Sequence, residues 1–302
     1  EEVLGKDERI ISVDSSYSDG EGSSYRLISN GFEGESKSTW FSVSASVSIK
    51  GEGEARPQDY WYDSALFYDK LTKTGIGAKA LERVLRKLGQ KKAKSGKYTM
   101  VVDPMNVGNL LSPMLSALYG SALQQKNSFL MDKLDAKVAS DLFTLRDEPH
   151  VIGANGSRYF DNEGVATEPR TVFDKGVLKT YFIDTYNGKK MNMAPTISTP
   201  SRLILAPGDK DLNGLVADVK QGILVTGFNG GNSNSSTGDF SYGIEGFLIE
   251  DGKLTQPVNE MNVTGNMVAL WNSLVAVGND PQPNRSWQIP SLVFEGVDFS
   301  GL

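Results

Sequence analysis

The sequence predicts an α+β fold with a largely antiparallel sheet, and three observations carry that prediction. From Phe41 to Ile49 the apolar residues Phe41, Val43, Ala45, Val47 and Ile49 alternate with Ser42, Ser44, Ser46 and Ser48, the period-two pattern of a strand with one buried face. Ile76, Ala80, Leu81, Val84, Leu85 and Leu88 recur at the spacing of one helix face. Beyond Arg170, apolar runs are separated by Asp174-Lys175-Gly176 and Asp251-Gly252, the chemistry of tight hairpins.

Taken in order, Ser24 to Phe32 reads as a weaker strand whose Ser29-Asn30-Gly31 turn lets it pair with a neighbour, so an antiparallel meander opens the chain. The helix through Ile76 and Leu88 can be ended by Gly89. Tyr98 to Val102 follows as a short buried strand. Asp103-Pro104 then offers an N-cap and a favoured first residue for an apolar helix through Leu110, Leu111, Met114, Leu115 and Leu118 to Gly120. Pro113 has no N–H for the Asn109 carbonyl and is expected to kink or split that helix. Val172-Phe173 with Val177 to Ile183 forms one hairpin, and Phe247 to Ile249 with Lys253-Leu254 another, turned by a type I′ Asp251-Gly252. A last helix starting at Thr264, with Val263 and Val268 as a hydrophobic staple, buries Met267, Leu270, Trp271 and Leu274 and ends at Gly278-Asn279-Asp280. No long linker divides the chain. A boundary near residues 95–105 is expected, giving segments 1–100 and 101–302.

Composition removes several function classes. The absence of cysteine excludes disulfides, zinc–thiolate sites and a thiol nucleophile. No apolar run reaches membrane-spanning length, and no membrane partner is expected. The chain opens Glu1-Glu2-Val3 without an initiator Met, so further residues upstream are expected. A net charge of −6 repels phosphate backbones. The one basic run, Arg83, Arg86, Lys87, Lys91, Lys92, Lys94 and Lys97, falls at a helix end with no aromatic residues interleaved to stack bases, so it reads as a solvated face. A nucleic-acid partner is not expected.

Several motifs have ordinary readings that outweigh the chemical ones. Gly75-Ile76-Gly77-Ala78-Lys79-Ala80 opens a helix in the manner of a dinucleotide fingerprint, but Tyr68 to Lys73 is too polar for the buried strand that must precede it. His150 is the only histidine, so no two-histidine metal centre exists, and without a Gly-x-Ser-x-Gly elbow it reads as an exposed structural residue. Asp147 with Glu148, and Asp161 with Glu163, could bind a hard cation or do acid–base work. Asp161-Asn162-Glu163-Gly164 lacks calcium-loop spacing and reads as a turn. The Asn-x-Ser/Thr sequons at Asn155, Asn234, Asn262 and Asn284 read as accidental. Asn229 to Asp239 is rich in Gly, Ser and Asn: it reads as a mobile loop, or as backbone that a peptide strand can approach and extend.

Several ordered blocks nevertheless carry a family resemblance. They are Asp59-Tyr60-Trp61-Tyr62, Val101-Val102-Asp103-Pro104, Leu115-Ser116-Ala117-Leu118, Phe160-Asp161-Asn162-Glu163-Gly164, Gly176-Val177-Leu178-Lys179, Phe228-Asn229-Gly230-Gly231-Asn232, Gly238-Asp239-Phe240-Ser241 and Val277-Gly278-Asn279-Asp280. In these the chain resembles, from about Ile11 to Leu302, the TldD/PmbA family of modulators of DNA gyrase. The resemblance implies a barrel-like C-terminal domain with packed helices, and a further α/β N-terminal domain upstream. Catalytic members carry His-Glu-x-x-x-His on a helix plus a distant cysteine. Laid on this chain, that motif falls on Leu111-Ser112-Pro113-Met114-Leu115-Ser116, so Leu111 and Ser116 stand for the histidines and Ser112 for the glutamate. Where those members bring in a cysteine, this chain has Asn284-Arg285-Ser286-Trp287.

Leucine cannot coordinate a metal and serine cannot replace the carboxylate that takes a proton from bound water. The resemblance is therefore to the PmbA, or TldE, kind. It implies a cytoplasmic, non-catalytic subunit of a metallopeptidase that degrades unfolded peptides in a chamber shared with a TldD-type partner, as a heterodimer or a homo-oligomer. No cofactor is expected in this chain, and the metal, zinc, is expected in the partner. Asn229, Gly230, Gly231, Asn232, Gly238 and Asp239 are the expected peptide-edge or chamber residues. The alternatives are a stand-alone peptide-binding protein and a gyrase modulator without a protease role.

Overall fold

The computed structural model describes all of residues 1–302, which separate into two compact units, Glu1–Lys91 and Lys92–Leu302. In the first unit β1 (Ile10–Leu27), β2 (Glu33–Ile49) and β3 (Gln58–Ala65) form an antiparallel meander. Against one face lies α1 (Ile76–Leu85), whose Ile76, Ala80, Leu81 and Val84 pack with Ala45, Val47 and Ile49. The alternating stretch of β2 thus buries Ala45, Val47 and Ile49, with Val43 partly buried beside them. β1 begins well before Ser24 and ends at Leu27, with Ile28 to Phe32 forming the turn. Its early half escaped the sequence reading because most of it is exposed on both faces, and alternation is visible only where one face is buried.

In the second unit the chain runs β4 (Gly96–Val102), α2 (Gly108–Ser116), α3 (Gly120–Gln124), β5 (Leu145–Asp147), β6 (Arg170–Asp174), β7 (Val177–Leu178), α4 (Thr185–Met191), β8 (Leu203–Leu205), α5 (Leu212–Ala217), β9 (Gln221–Ser233), β10 (Asp239–Glu250), β11 (Lys253–Asn266), α6 (Met267–Asn272), β12 (Leu274–Val277), β13 (Trp287–Gln288) and β14 (Leu292–Ser300). One sheet has the order β11-β10-β9-β4-β14-β12, and a further β11–β14 pairing closes β11, β10, β9, β4 and β14 into a ring. Closure pairs strands that would otherwise be edges. A second sheet has the order β13-β8-β5-β6-β7. The fold is α+β with a barrel-like, mainly antiparallel unit, and only β4–β9 and β8–β13 pair in parallel.

Alternation along the ring strands feeds two cores. Met100, Val102, Ile223 and Val225 join the main core with Leu111, Trp271 and Phe294, whereas Val101, Leu224 and Val293 pack with Leu215 and Val216 of α5 on the other face. Phe143, Phe173 and Trp271 form the aromatic centre of the main core, with ring centroids 4.8 Å and 4.4 Å from Phe143.

Four local readings are corrected. The helix expected from Pro104 starts at Gly108, after a turn in which the Asp103 carboxylate accepts the Asn106 N–H at 3.1 Å. Pro113 does not split it: α2 continues to Ser116, and the break comes at Ala117–Tyr119. Asn109, whose carbonyl loses its partner, is exposed, so water can replace the missing bond. The strand expected from Val177 to Ile183 lasts only to Leu178, and Phe182 instead exchanges backbone bonds with Leu118 and Gly120. The last helix starts at Met267 and ends at Asn272. Thr264 pairs within β11, Asn266 is the cap through its side-chain bond to the Val268 N–H, and Leu274 belongs to a strand.

Candidate functional site

The end of β4 is where chemistry is best placed, because β9 runs parallel to it and then continues past its carboxyl end. β4 pairs with β9 only from Gly222 to Val225. Beyond that, Gly227 to Ser233 pair with β10 alone, which leaves the opposite backbone edge of β9 open. Asn229 to Asn232 are exposed along it.

The turns just before α2 and just after α3 fasten both ends of this edge. At one end Asp103, buried at the close of β4, accepts the Asn106 side-chain amide at 2.8 Å, and the same amide donates to the Thr226 carbonyl at 2.8 Å. At the other end Asn127, just past α3, accepts hydroxyl bonds from Ser235 and Ser236 at 2.6 Å each, and the Phe129 N–H donates to the Ser235 carbonyl. The segment from α2 to α3 therefore runs between the two ends of the open edge.

The Gly-Ser-Asn segment takes up strand and turn structure. Asn229 to Ser233 belong to β9, and Asn234 to Gly238 make a turn in which the Asn234 side chain accepts the Ser236 and Thr237 N–H groups. Gly231 lies at φ +92°, and a Cβ there would stand 2.1 Å from the Ser241 carbonyl oxygen, so this glycine serves the close approach of β10. Gly238 is buried against the Phe129 ring and is closed to a peptide. The Asp239 carboxylate accepts the Asn266 amide and the Thr237 hydroxyl, which hold it below the usual aspartate range. Of the six expected edge residues, Asn229, Gly230, Gly231 and Asn232 lie on the open strand, while Gly238 and Asp239 shape its turn.

The residues at the family's metal-motif positions sit on α2. Leu111 is fully buried beside Leu110, Met114 and Leu115, and the Trp271 indole N–H donates to the Leu110 carbonyl at 3.4 Å. Ser112 and Ser116 are exposed one turn apart on the opposite side. The segment expected to replace the cysteine comes close to α2, since a Cβ on Gly108 would lie 4.0 Å from the Trp287 ring. Its polar groups are engaged. The Arg202 guanidinium donates to the Arg285 carbonyl at 2.9 Å and to Asn155 at 3.0 Å, and the Asn155 amide donates to the Asn284 carbonyl. The fit to a hydrolytic metal fails here: the buried position offers a hydrocarbon and the other two offer alcohols. No three His, Cys, Asp or Glu side chains gather elsewhere in an arrangement that would hold a metal ion.

The remaining sequence candidates are structural. The Glu2 carboxylate accepts the N–H groups of Gly75 at 2.7 Å and Gly77 at 2.9 Å, so the fingerprint-like glycines bind a side chain of this chain itself. Those backbone bonds, Gly75 first, pull the Glu2 carboxyl below its ordinary range. Arg83 and Lys87 of the basic run pair with the buried Asp59 at 3.2 Å and 3.3 Å. His150 is exposed and shares a hydrogen bond with Thr167 at 3.1 Å. Burial raises the Asp161 carboxyl, but N–H bonds from Ser198, Val165 and Glu163 outweigh it and leave the group lowered, fixing the turn read from the sequence. Burial pushes Asp147 up despite N–H bonds from Ser201 and Arg202.

Sequence reasoning missed two organising residues. Arg158 donates to the Thr199 carbonyl and the Ser201 hydroxyl, tying two loops together with no sequence signal beyond a charged residue in a polar stretch. Asp280 accepts the Leu212 N–H and both the N–H and hydroxyl of Ser291. The Gly278-Asn279-Asp280 block was the available signal for it.

Residues 95–301 match the PmbA/TldA metallopeptidase C-terminal domain and residues 1–88 the corresponding central domain. Among curated proteins, a metalloprotease PmbA homolog of Haemophilus influenzae is 30% identical over 99% of this chain and 67% of its own length. The metalloprotease PmbA of Escherichia coli O157:H7 is 27% identical over 87% of this chain and 59% of its own. The chain thus spans between about half and two thirds of the first curated relatives it matches. A Bacteroides thetaiotaomicron protein described as a candidate modulator of DNA gyrase has a crystal structure with TM-score 0.98 and 74% identity, covering 99% of this chain and 68% of that one. TldE of Thermococcus kodakarensis, at 21% identity and TM-score 0.84 over 95% of this chain and 69% of its own, shares the fold.

Proposed function

The chain belongs to the PmbA/TldD metallopeptidase family, and from that premise we propose that it is the subunit without a metal, which walls a peptide-degrading chamber beside a metal-bearing sister chain. The observation that carries this reading is Leu111. A family metal motif laid on α2 puts a fully buried leucine at the first ligand position and exposed serines at the others, so no group here can hold a hydrolytic cation or take a proton from its water.

The open edge of β9 supports a role for this chain with an extended substrate. An unfolded peptide can add to Gly227–Ser233 through main-chain hydrogen bonds, which need no particular side chains and suit a sequence-tolerant chamber. The same edge supports a second reading, a stand-alone peptide binder. The gyrase-modulator alternative gains no support from the basic run, where Arg83 and Lys87 are already paired with Asp59.

The test is to co-express the protein with a relative carrying His-Glu-x-x-x-His and assay an unstructured polypeptide with and without a chelator. The reading expects chelator-sensitive cleavage that requires both chains. Cleavage by the sister chain at an unchanged rate without this one refutes it, and binding of peptide with no contribution to cleavage by any metal-bearing relative favours the stand-alone binder.

A further inference from the structure

The three-stranded sheet of the first unit has a second face, opposite α1, that holds none of the unit's core residues. Ala45, Val47 and Ile49 pack with α1, so by strand alternation Ser42, Ser44, Ser46 and Ser48 point the other way. The register sets Ser18 and Ser16 of β1 opposite Ser42 and Ser44, and Tyr62 and Tyr60 of β3 opposite Ser44 and Ser46. Cross-strand bonds on this face agree with that alignment. The Gln58 amide donates to the Ser46 hydroxyl at 2.7 Å, and the Ser24 and Ser36 hydroxyls share a bond at 2.7 Å. Three strands of such residues make a floor of small hydroxyls about 10 Å across.

Aromatic rings flank this floor. Trp40 lies opposite Gly20, where a Cβ would meet Nε1, Cε2 and Cζ2 of the indole at 2.8, 3.0 and 3.1 Å. Three ring atoms at nearly equal distance mean that the indole lies flat across the glycine, which leaves it the room. The other face of the ring is turned to solvent, and Trp40 is 48% exposed. Tyr60, 51% exposed, stacks with Tyr62 at 6.1 Å between ring centroids. From Trp40 to Ser44, the partner of Tyr62, is four residues along β2, or about 13 Å.

Charge and side-chain shape narrow the ligand. Over residues 12–22, 38–48 and 58–64 this face carries a single charge, Asp14, and no cation, in a chain of which 23% of residues are charged. A phosphate backbone or an anionic headgroup finds nothing here to pair with. No aliphatic side chain stands on these stretches of the face either, so an amphipathic helix has no apolar groove to fill. What the face does offer is aromatic rings beside serine hydroxyls, each of which both donates and accepts. A sugar is the complement of that surface, with a C–H face to lie on a ring and a rim of hydroxyls that donate and accept in turn. A flat floor without walls suits a chain lying along it better than a single sugar in a pocket. We propose that this face binds an extended, uncharged glycan strand, stacked on Trp40 and Tyr60 and hydrogen-bonded by Ser16, Ser18, Ser42 and Ser44.

The experiment is titration calorimetry of the chain with cellohexaose, an extended neutral strand, with maltohexaose, a coiled one, and with heparin, an anionic one. Circular dichroism and melting curves establish that each variant is folded. Cellohexaose is expected to bind with a Kd of roughly 1 mM or tighter, and maltohexaose about 5-fold more weakly. Trp40→Ala and Tyr60→Ala should each weaken cellohexaose about 10-fold, and Trp40→Phe, which keeps a ring over Gly20, should stay within about 3-fold of the parent. Ser44→Val should cost about 3-fold. Because the Trp40 variant also loosens the hairpin, Tyr60→Ala on β3 supplies an independent reading. Tyr68→Ala, at an exposed tyrosine whose ring packs on Phe41 at the other face, should change nothing. No binding of cellohexaose at about 5 mM, equal binding of maltohexaose, binding that the Trp40 and Tyr60 variants leave unaltered, or a preference for heparin overturns the proposal.

Discussion

The Glu2 carboxylate sits on the first N–H groups of α1, accepting that of Gly75 at 2.7 Å across a sequence separation of 73 residues. A position that resembles a phosphate cradle in the sequence is filled by the chain's own acid. Because its pKa is lowered in the fold, Glu2 contributes stability at pH values above its unfolded range, and that contribution is lost as pH falls through the lowered value. Glu2→Gln should lower the melting temperature of the first unit at neutral pH and have little effect in acid. Calorimetry at the two pH values checks this, and the wild type should show no nucleotide-dependent shift at either.

Positions on α2 should separate sharply in their tolerance. Leu111→Ala should cost about 3 kcal/mol by opening a cavity in the main core. Ser112→Ala and Ser116→Ala, at exposed positions, should change stability by less than about 0.5 kcal/mol. Urea unfolding measures all three, and a Leu111 variant as mild as the serine variants would contradict the placement of α2.

Removing the Asp280 carboxylate should cost about 2–3 kcal/mol, since three hydrogen bonds to a charged acceptor are lost at once. Asp280→Ala should also loosen the start of α5 and the segment leading into β14, read as faster amide exchange at Leu212 and Ser291.

Main-chain addition at the β9 edge makes a local prediction. An unstructured peptide should slow hydrogen exchange within Gly227–Ser233, while exchange in the ring strand β14 stays unchanged. Uniform protection, or none, would exclude that edge as the contact.

Where an element buries one side and exposes the other, the sequence disclosed it. The strand at Phe41 to Ile49 and the Asp251-Gly252 turn stand as read, and the α1 stripe stands from Ile76 to Leu85, with Leu88 in the turn beyond the helix. Residues 10–23 of β1 and the close of the ring through Asn262 to Thr264 did not show, the first because it lacks a buried face and the second because strand partners far apart in sequence leave no local pattern. Leu274 fits a helical stripe and lies in a strand because one buried apolar residue after a helix satisfies either period. At the candidate site, only the family resemblance singled out Leu111, Ser112 and Ser116 of α2, because no local pattern marks that helix as a site. An extendable edge was one of two readings of Asn229 to Asp239, and what the residues could not show is its cause, β4 ending at Val102 while β9 continues to Ser233.

The most direct measurement is the metal content and peptidase activity of the purified chain on its own, by elemental analysis and cleavage of an unfolded polypeptide. The account predicts far less than one equivalent of transition metal, no chelator-sensitive cleavage, and activity only when a metal-bearing sister chain is added. About one equivalent of metal held by this chain, together with chelator-sensitive cleavage in the absence of any partner, would contradict it.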